Sequence, residues 1–237
     1  MNGLFKRRLN HLPPPPRAGA KPAVKIAGIA IVLFLSLQLT SHAQDARKFD
    51  LSRLLVEKKL IVNPRSSAKV LKDNTYKGLT CGGIVWLTGV NFSTGAIDID
   101  LRGRDVFQQS FLGIAFHGVD SITYDAIYFR PFNFQSVDSL RHRHMVQYIS
   151  QPDFPWDRLR KEHPLVYENT INPSVKSKDW FHARIVVTNE TITVYVNHSV
   201  TPSLTVKKLN SRINGLIGLW DDGLPGDFAN LVITSNP

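Results

Sequence analysis

The stretch YDAIYFRPFNF, Tyr124 to Phe134, places five aromatic residues, one arginine and one proline in eleven positions. In a strand, successive side chains point to opposite faces. Tyr124, Ala126, Tyr128 and Arg130 therefore share one face, and Asp125, Ile127 and Phe129 the other. Tyrosine brings a flat apolar ring with a polar tip, and arginine brings a fork of donors. Sugars present apolar ring faces and many hydroxyls, so this mix suits a glycan. Three other segments carry polar residues in the same alternating way. In SFLGIAFHG, Phe111, Gly113, Ala115 and His117 alternate with Leu112, Ile114 and Phe116, and the small residues leave room beside the histidine. In MVQYIS, Gln147 alternates with Val146 and Tyr148, and in GAIDIDLRG, Asp98 and Asp100 alternate with Ile97, Ile99 and Leu101. The expectation is one polar, concave sheet face gathering His117, Tyr128, Arg130, Gln147, Asp98 and Asp100. Trp156, at the head of a loop helix, would add a stacking platform.

Each residue also has a plainer role. Arg130 could pair with Asp98, Asp100 or Asp125 and tie the sheet together, His117 could cap a strand beside Gly118, and Asp98 and Asp100 could simply be solvated. Catalysis needs more. Glycosidases hold two carboxyl groups about 5–5.5 Å apart when retaining and about 6.5–9.5 Å apart when inverting. Strand residues two apart are about 6.6 Å from each other, so Asp98 and Asp100 meet the distance, but no catalytic residue is assigned. The glutamates Glu57, Glu162, Glu168 and Glu190 all lie outside strand centres. No nucleophile elbow, phosphate-cradling loop or zinc-type Cys/His spacing is present. Asp221, Asp222 and Asp227 in WDDGLPGD offer oxygen ligands of the kind calcium takes. Aspartate is also a turn former, and that reading is preferred, so no cofactor is expected. Trp220 reads as core.

These residues need strands to position them. From about Val70 the apolar period is two, in segments over 83–89, 95–102, 110–117, 121–129, 145–150, 180–188, 191–197, 213–220 and 227–234. Most are bounded by Gly, Asn, Asp or Pro. Only PWDRLRKE, at 155–162, interrupts with a helical turn, opened by a proline suited to a helix start. The pattern is all-β, a sandwich of antiparallel sheets. Two hairpins are read, one at TNET (188–191) and one around WDDGLPGD. Residues 44–68 read as a short helical extension ahead of a domain over 69–237.

The chain opens with Lys6, Arg7, Arg8, Arg17, Lys21 and Lys25, an apolar run from Ile26 to Leu39, and Ser41-His42-Ala43. That order is a secretory signal peptide over 1–43, and the run is shorter than the roughly 20 residues that span a bilayer. The expected location is periplasmic or extracellular, with membrane contact only through this signal. Without those six basic residues, 23 Lys and Arg face 19 Asp and Glu, a net of +4 rather than +10. The basicity is mostly a targeting feature, and nucleic acid is not an expected partner. Cys81 is the sole cysteine, so the exported chain must be held by its core.

The tail INGLIGLWDDGLPGDFANLVI, with WFHARIVVTNETITVYVNH ahead of it and GAIDIDLRG before SFLGIAFHG, resembles the concanavalin A-like lectin/glucanase superfamily. Laminin-G-like domains and bacterial exported 3-keto-disaccharide hydrolase-like proteins share the pattern. The resemblance implies a jelly roll of two curved antiparallel sheets, with ligands met on the concave face or at rim loops. The laminarinase-like branch carries a Glu-x-Asp-x-x-Glu strand that this sequence lacks. The expected function is therefore glycan binding by an exported protein. The alternative is a carbohydrate-active enzyme, hydrolase or lyase, working at the same face.

Overall fold

Strict alternation in GAIDIDLR and TITVYV sends every second side chain into a shared interior. A computed structural model describes residues 45–236. In chain order they form β1 (Asp45–Phe49), α1 (Leu51–Val56), β2 (Leu60–Val62), β3 (Ser67–Val70), β4 (Gly78–Gly82), β5 (Ile84–Phe92), β6 (Gly95–Arg102), β7 (Ser110–Gly118) and β8 (Tyr124–Phe129). After a 3-10 turn (Pro131–Asn133) come α2 (Ser139–His142), β9 (Val146–Gln151), α3 (Trp156–Glu162), β10 (Glu168–Asn169), β11 (Phe181–Val187), β12 (Thr191–Val196), β13 (Leu204–Lys207), β14 (Gly215–Gly223) and β15 (Gly226–Ser235).

The strands make two antiparallel sheets. One runs β13-β12-β11-β6-β15-β4-β3, with β1 also paired to β15, and the other runs β10-β9-β8-β7-β14-β5-β2. Ile97, Ile99 and Leu101 of β6 meet Leu112, Ile114 and Phe116 of β7 and Ile127 and Phe129 of β8 in the core between them. This is the expected jelly-roll sandwich. Cys81 is buried in the same core and unpaired. The signal-peptide reading falls on residues 1–43, outside the described residues.

Two local expectations change. The TNET hairpin joins β11 to β12, but β14 and β15 are not a hairpin. β14 pairs with β5 and β7 in one sheet, and β15 with β1, β4 and β6 in the other. The Gly- and Asp-rich loop is thus a corner between sheets, closed by Gly226 N donating to Asp221 Oδ2 at 3.0 Å. Residues 45–68, within the segment read as an extension, contribute to both sheets: β1 lies along β15, β2 along β5, and β3, which starts at Ser67, along β4. The helical part is α1, capped by Asp50, whose carboxylate accepts from Arg53 N at 3.0 Å.

Candidate functional site

Cross-strand register, which a single sequence does not carry, builds the site. Ile84, Trp220, Gly113, Tyr128, Gln147 and Glu168 pair in succession across β5, β14, β7, β8, β9 and β10. Directly paired residues share a face, so these side chains form one row on the outward side of the seven-stranded sheet. Gly113 has a positional reason: a Cβ there would strike the carbonyl of Ile127. Its bare backbone lets the Tyr128 and Trp220 rings meet across it, with centroids 4.9 Å apart. Trp220 Nε1 donates to Tyr124 Oη at 3.1 Å. Trp220 is therefore buried, but on the outward face with Ile84, Trp86 and Tyr124 rather than between the sheets.

Over this row opens a cavity of about 760 Å³. Tyr128, Trp220 and Phe111 contribute from the sheet, Arg141 from α2, and Trp156 and Arg160 from α3. Trp156 is 49% exposed at the rim, with the Arg160 guanidinium 5.1 Å from its ring centre. Asp222 stands on the same wall as Trp220.

The polar centre is Arg130, only 4% exposed. Its Nη2 donates to Tyr128 Oη at 2.6 Å and to Gln147 Oε1, and Tyr128 Oη donates to the same Gln147 oxygen at 2.8 Å. Burial pushes the Tyr128 phenol up to about 12, eased by the Arg130 charge. Burial likewise lowers Arg130 below the usual guanidinium range, partly offset by Tyr128 and Glu168. Behind them lies Glu168, held bidentate by Arg160 at 3.1 and 2.8 Å. Arg130 Nη1 is 3.6 Å from this carboxylate. His144 Nδ1 is 2.7 Å from it, but out of hydrogen-bond alignment. Burial holds His144 below the usual imidazole range despite the nearby carboxylate. Among the described residues Arg141 donates only to neutral acceptors, Asn133 Oδ1 at 3.2 Å and the Phe132 carbonyl at 3.1 Å.

Of the residues expected to converge, Tyr128, Arg130, Gln147 and Trp156 do. Tyr128, Arg130 and Trp156 line the cavity, and Gln147 braces the first two. His117, Asp98 and Asp100 do not join them.

His117 leaves the face because β7 bulges. From Leu216 to Gly218 β14 advances two residues while its partners on β7 go from Gly118 to Ala115, three. His117 takes up the extra step with φ +50°, so alternation reverses there. Its ring packs between Phe92 and Phe116 in the core. Nδ1 lies 3.1 Å from Asp125 Oδ2, and Nε2 is 2.7 Å from the Ser93 carbonyl. Asp125 also accepts from Tyr148, Asn210 and Arg212. This sealed network is structural.

Asp98 and Asp100 are on the other sheet. They face outward from β6 and clamp His182, whose ring nitrogens lie 3.2 Å from Asp98 Oδ1 and 2.9 Å from Asp100 Oδ1. Arg184 closes on Asp98 at 2.6 Å, and Asn230 on Asp100 at 2.7 Å. Burial opposes charge on His182, but its hydrogen bonds to Asp100 and Asp98 outweigh it and push the imidazole up to about 9.

The loop aspartates are also committed. Asp227 accepts from Thr80, Arg102 and Arg104. Asp221 accepts from Gly226 N, and burial raises it to about 8. Among the described residues no three His, Cys, Asp or Glu side chains gather to hold a metal ion. Glu168, Arg141 and Arg160 escaped sequence reasoning. Arg141 opens the run Arg141-His142-Arg143-His144, which reads as a solvated turn, Arg160 lies in the helical turn after Pro155, and Glu168 reads as lying outside any strand centre.

The two sheets form a concanavalin A-like, galectin-like sandwich fold. No protein-family model matches the chain, and no curated protein does. Among solved structures it is similar to a Bacillus subtilis protein of unknown function with a galectin-like fold (TM-score 0.54, 10% identity, covering 81% of this chain and 97% of that one). A "putative glycosyl hydrolase" of Parabacteroides distasonis matches with TM-score 0.50 and 14% identity, over 81% of this chain and all of that one. The carbohydrate binding module CBM66 from Bacillus subtilis matches with TM-score 0.48 and 10% identity, over 72% and 96%.

Proposed function

We propose that the chain is an exported glycan-binding protein whose site is the hollow over the outward face of the seven-stranded sheet. The observation that carries this is the coincidence, in one cavity, of exposed Trp156, the Tyr128–Trp220 pair and the Arg130 guanidinium braced by Gln147. Aromatic faces take the apolar side of a sugar ring, and fixed donors take its hydroxyls. Binding is favoured over hydrolysis because a glycosidase needs two available carboxyl groups, and here Glu168 is locked by Arg160 and Asp221 is buried against Gly226 N, which leaves Asp222. The name of the Parabacteroides neighbour fits a carbohydrate ligand.

The test incubates the purified full chain with a panel of polysaccharides and reads both retention and new reducing or unsaturated ends. Retention without products is expected. Trp156→Ala, at a half-exposed rim position, lowers affinity about tenfold with an unchanged melting temperature. Products from any polymer would move the protein to the carbohydrate-active enzymes. No retention across the panel would end the glycan reading.

A further inference from the structure

Resting on that reading, we infer that the cavity selects glycans bearing an acidic group, a uronate or a sulfate, with Arg141 as the residue that discriminates acid from neutral sugar. The inference comes from the charge balance of the cavity wall. Three guanidinium groups, Arg130, Arg141 and Arg160, contribute to it. Glu168 is shared between Arg160 at 2.8 Å and Arg130 at 3.6 Å, and Asp221 and Asp222 line the Trp220 side of the same wall, the first buried and raised to about 8. His144, the third group at that carboxylate, is held toward its neutral form by burial. Among the described residues Arg141 makes no ion pair of its own: its donors go to an amide and a peptide carbonyl.

Arg141 is also held in place. Asp138 caps α2 by accepting from Leu140 N and Arg141 N at 2.8 and 3.1 Å. The guanidinium lies over Phe107, 4.2 Å from its ring centre, and its bonds to Asn133 and Phe132 fix its edge. A positioned arginine whose donors meet no carboxylate directly is pre-set for a planar carboxylate or a sulfate, which it can take bidentate. Asp222, on the Trp220 wall, cannot be that counter-ion's neighbour without repulsion, so it orients the acid toward the arginines and leaves hydroxyls to itself.

The basic groups around a second cavity, of about 750 Å³, provide a contrast. There Arg102 and Arg104 are already paired with Asp227, and Arg102 also with Asp73. What remains is surface lysine, such as Lys69 and Lys72, which attracts anions without geometry.

The experiment measures binding of the full chain, by calorimetry, to matched pairs that differ only in charge: polygalacturonate and its methyl ester, and a sulfated galactan and its desulfated form. At least one acidic member is expected to bind at least about tenfold tighter than its neutral partner, with affinity falling as salt rises. Arg141→Gln removes that preference, leaving the acid bound only as well as the neutral partner, at an unchanged melting temperature. Lys69→Gln with Lys72→Gln leaves it intact. Equal or tighter binding of both neutral members overturns the inference while keeping the glycan reading. Loss of preference in the lysine variant as large as in Arg141→Gln also overturns it, since general attraction would then suffice. No binding to any member ends both readings together.

Discussion

On the outward face of the eight-stranded sheet, Asp98 and Asp100 meet His182, Arg184 and Asn230, and each charge finds an opposite or a donor beside it. On the outward face of the seven-stranded sheet, Arg130 and Arg160 share the buried carboxylate of Glu168, while Arg141 and Asp222 line the same open cavity. Both faces arise from the same rule, polar side chains at every second position. They differ in what lies around them. The first is a flat strand surface closed by its own neighbours. The second is walled by the 3-10 turn, α2 and α3, which follow β8 and β9 and bring aromatic rings and extra cations. A polar strand face becomes a candidate site when its loops leave charge and space unfilled.

The largest test of this contrast is Glu168→Gln. It leaves buried guanidinium charge with no anion, and breaking one side of a buried pair costs about 3–5 kcal/mol. Urea denaturation should show that loss as a lower midpoint with an unchanged slope. A shift under about 1 kcal/mol would mean that water already screens these charges, and that the two faces are electrostatically alike. Tyr128→Phe is the intermediate case. It removes the hydroxyl that links Arg130 Nη2 to Gln147, for about 1–2 kcal/mol, and it loosens the guanidinium that the ligand meets. The same denaturation series and the retention assay should therefore move together. Stability lost without any change in retention would make Arg130 a tie within the sheet and nothing more.

The contrast also marks how far the sequence could be read. Alternation in YDAIYFR assigned faces correctly: Ile127 and Phe129 lie between the sheets, while Tyr128 and Arg130 face outward. The β6 segment, 95–102, is matched residue for residue, and so is the start of α3 after Pro155. Alternation says which residues share a face, however, and not which sheet a strand joins. Asp98 and Asp100 were on a polar face, as read, but the face belongs to the other sheet. It also assumes an unbroken strand, and the bulge at His117 reverses it within one residue. Glu168 was invisible because its strand has two residues and no period. The corner at 223–226 reads like a hairpin turn because its residues suit any tight turn, and only long-range pairing sends β14 and β15 to different sheets.

The smallest predicted effect lies on the closed face and concerns pH. His182 stands at about 9 in the folded chain, against about 6.5 for an unfolded histidine. The folded state therefore holds a proton that the unfolded state has released between those values. The stabilising contribution is fully present below about pH 6.5 and is lost as pH rises through about 9. Partly exposed pairs of this kind are worth at most about 1 kcal/mol. His182→Gln should thus melt slightly below the parent protein at pH 6 and level with it at pH 10, because the parent's imidazole is then neutral as well. Only the difference between the two curves is informative, since other groups titrate in both. Glycan retention should be the same for parent and variant throughout, because the clamp is on the sheet opposite the cavity. A difference in melting that stays constant from pH 6 to 10 would assign the clamp to packing. A loss of retention in His182→Gln would break the contrast itself, by showing that the closed face also takes part in recognition.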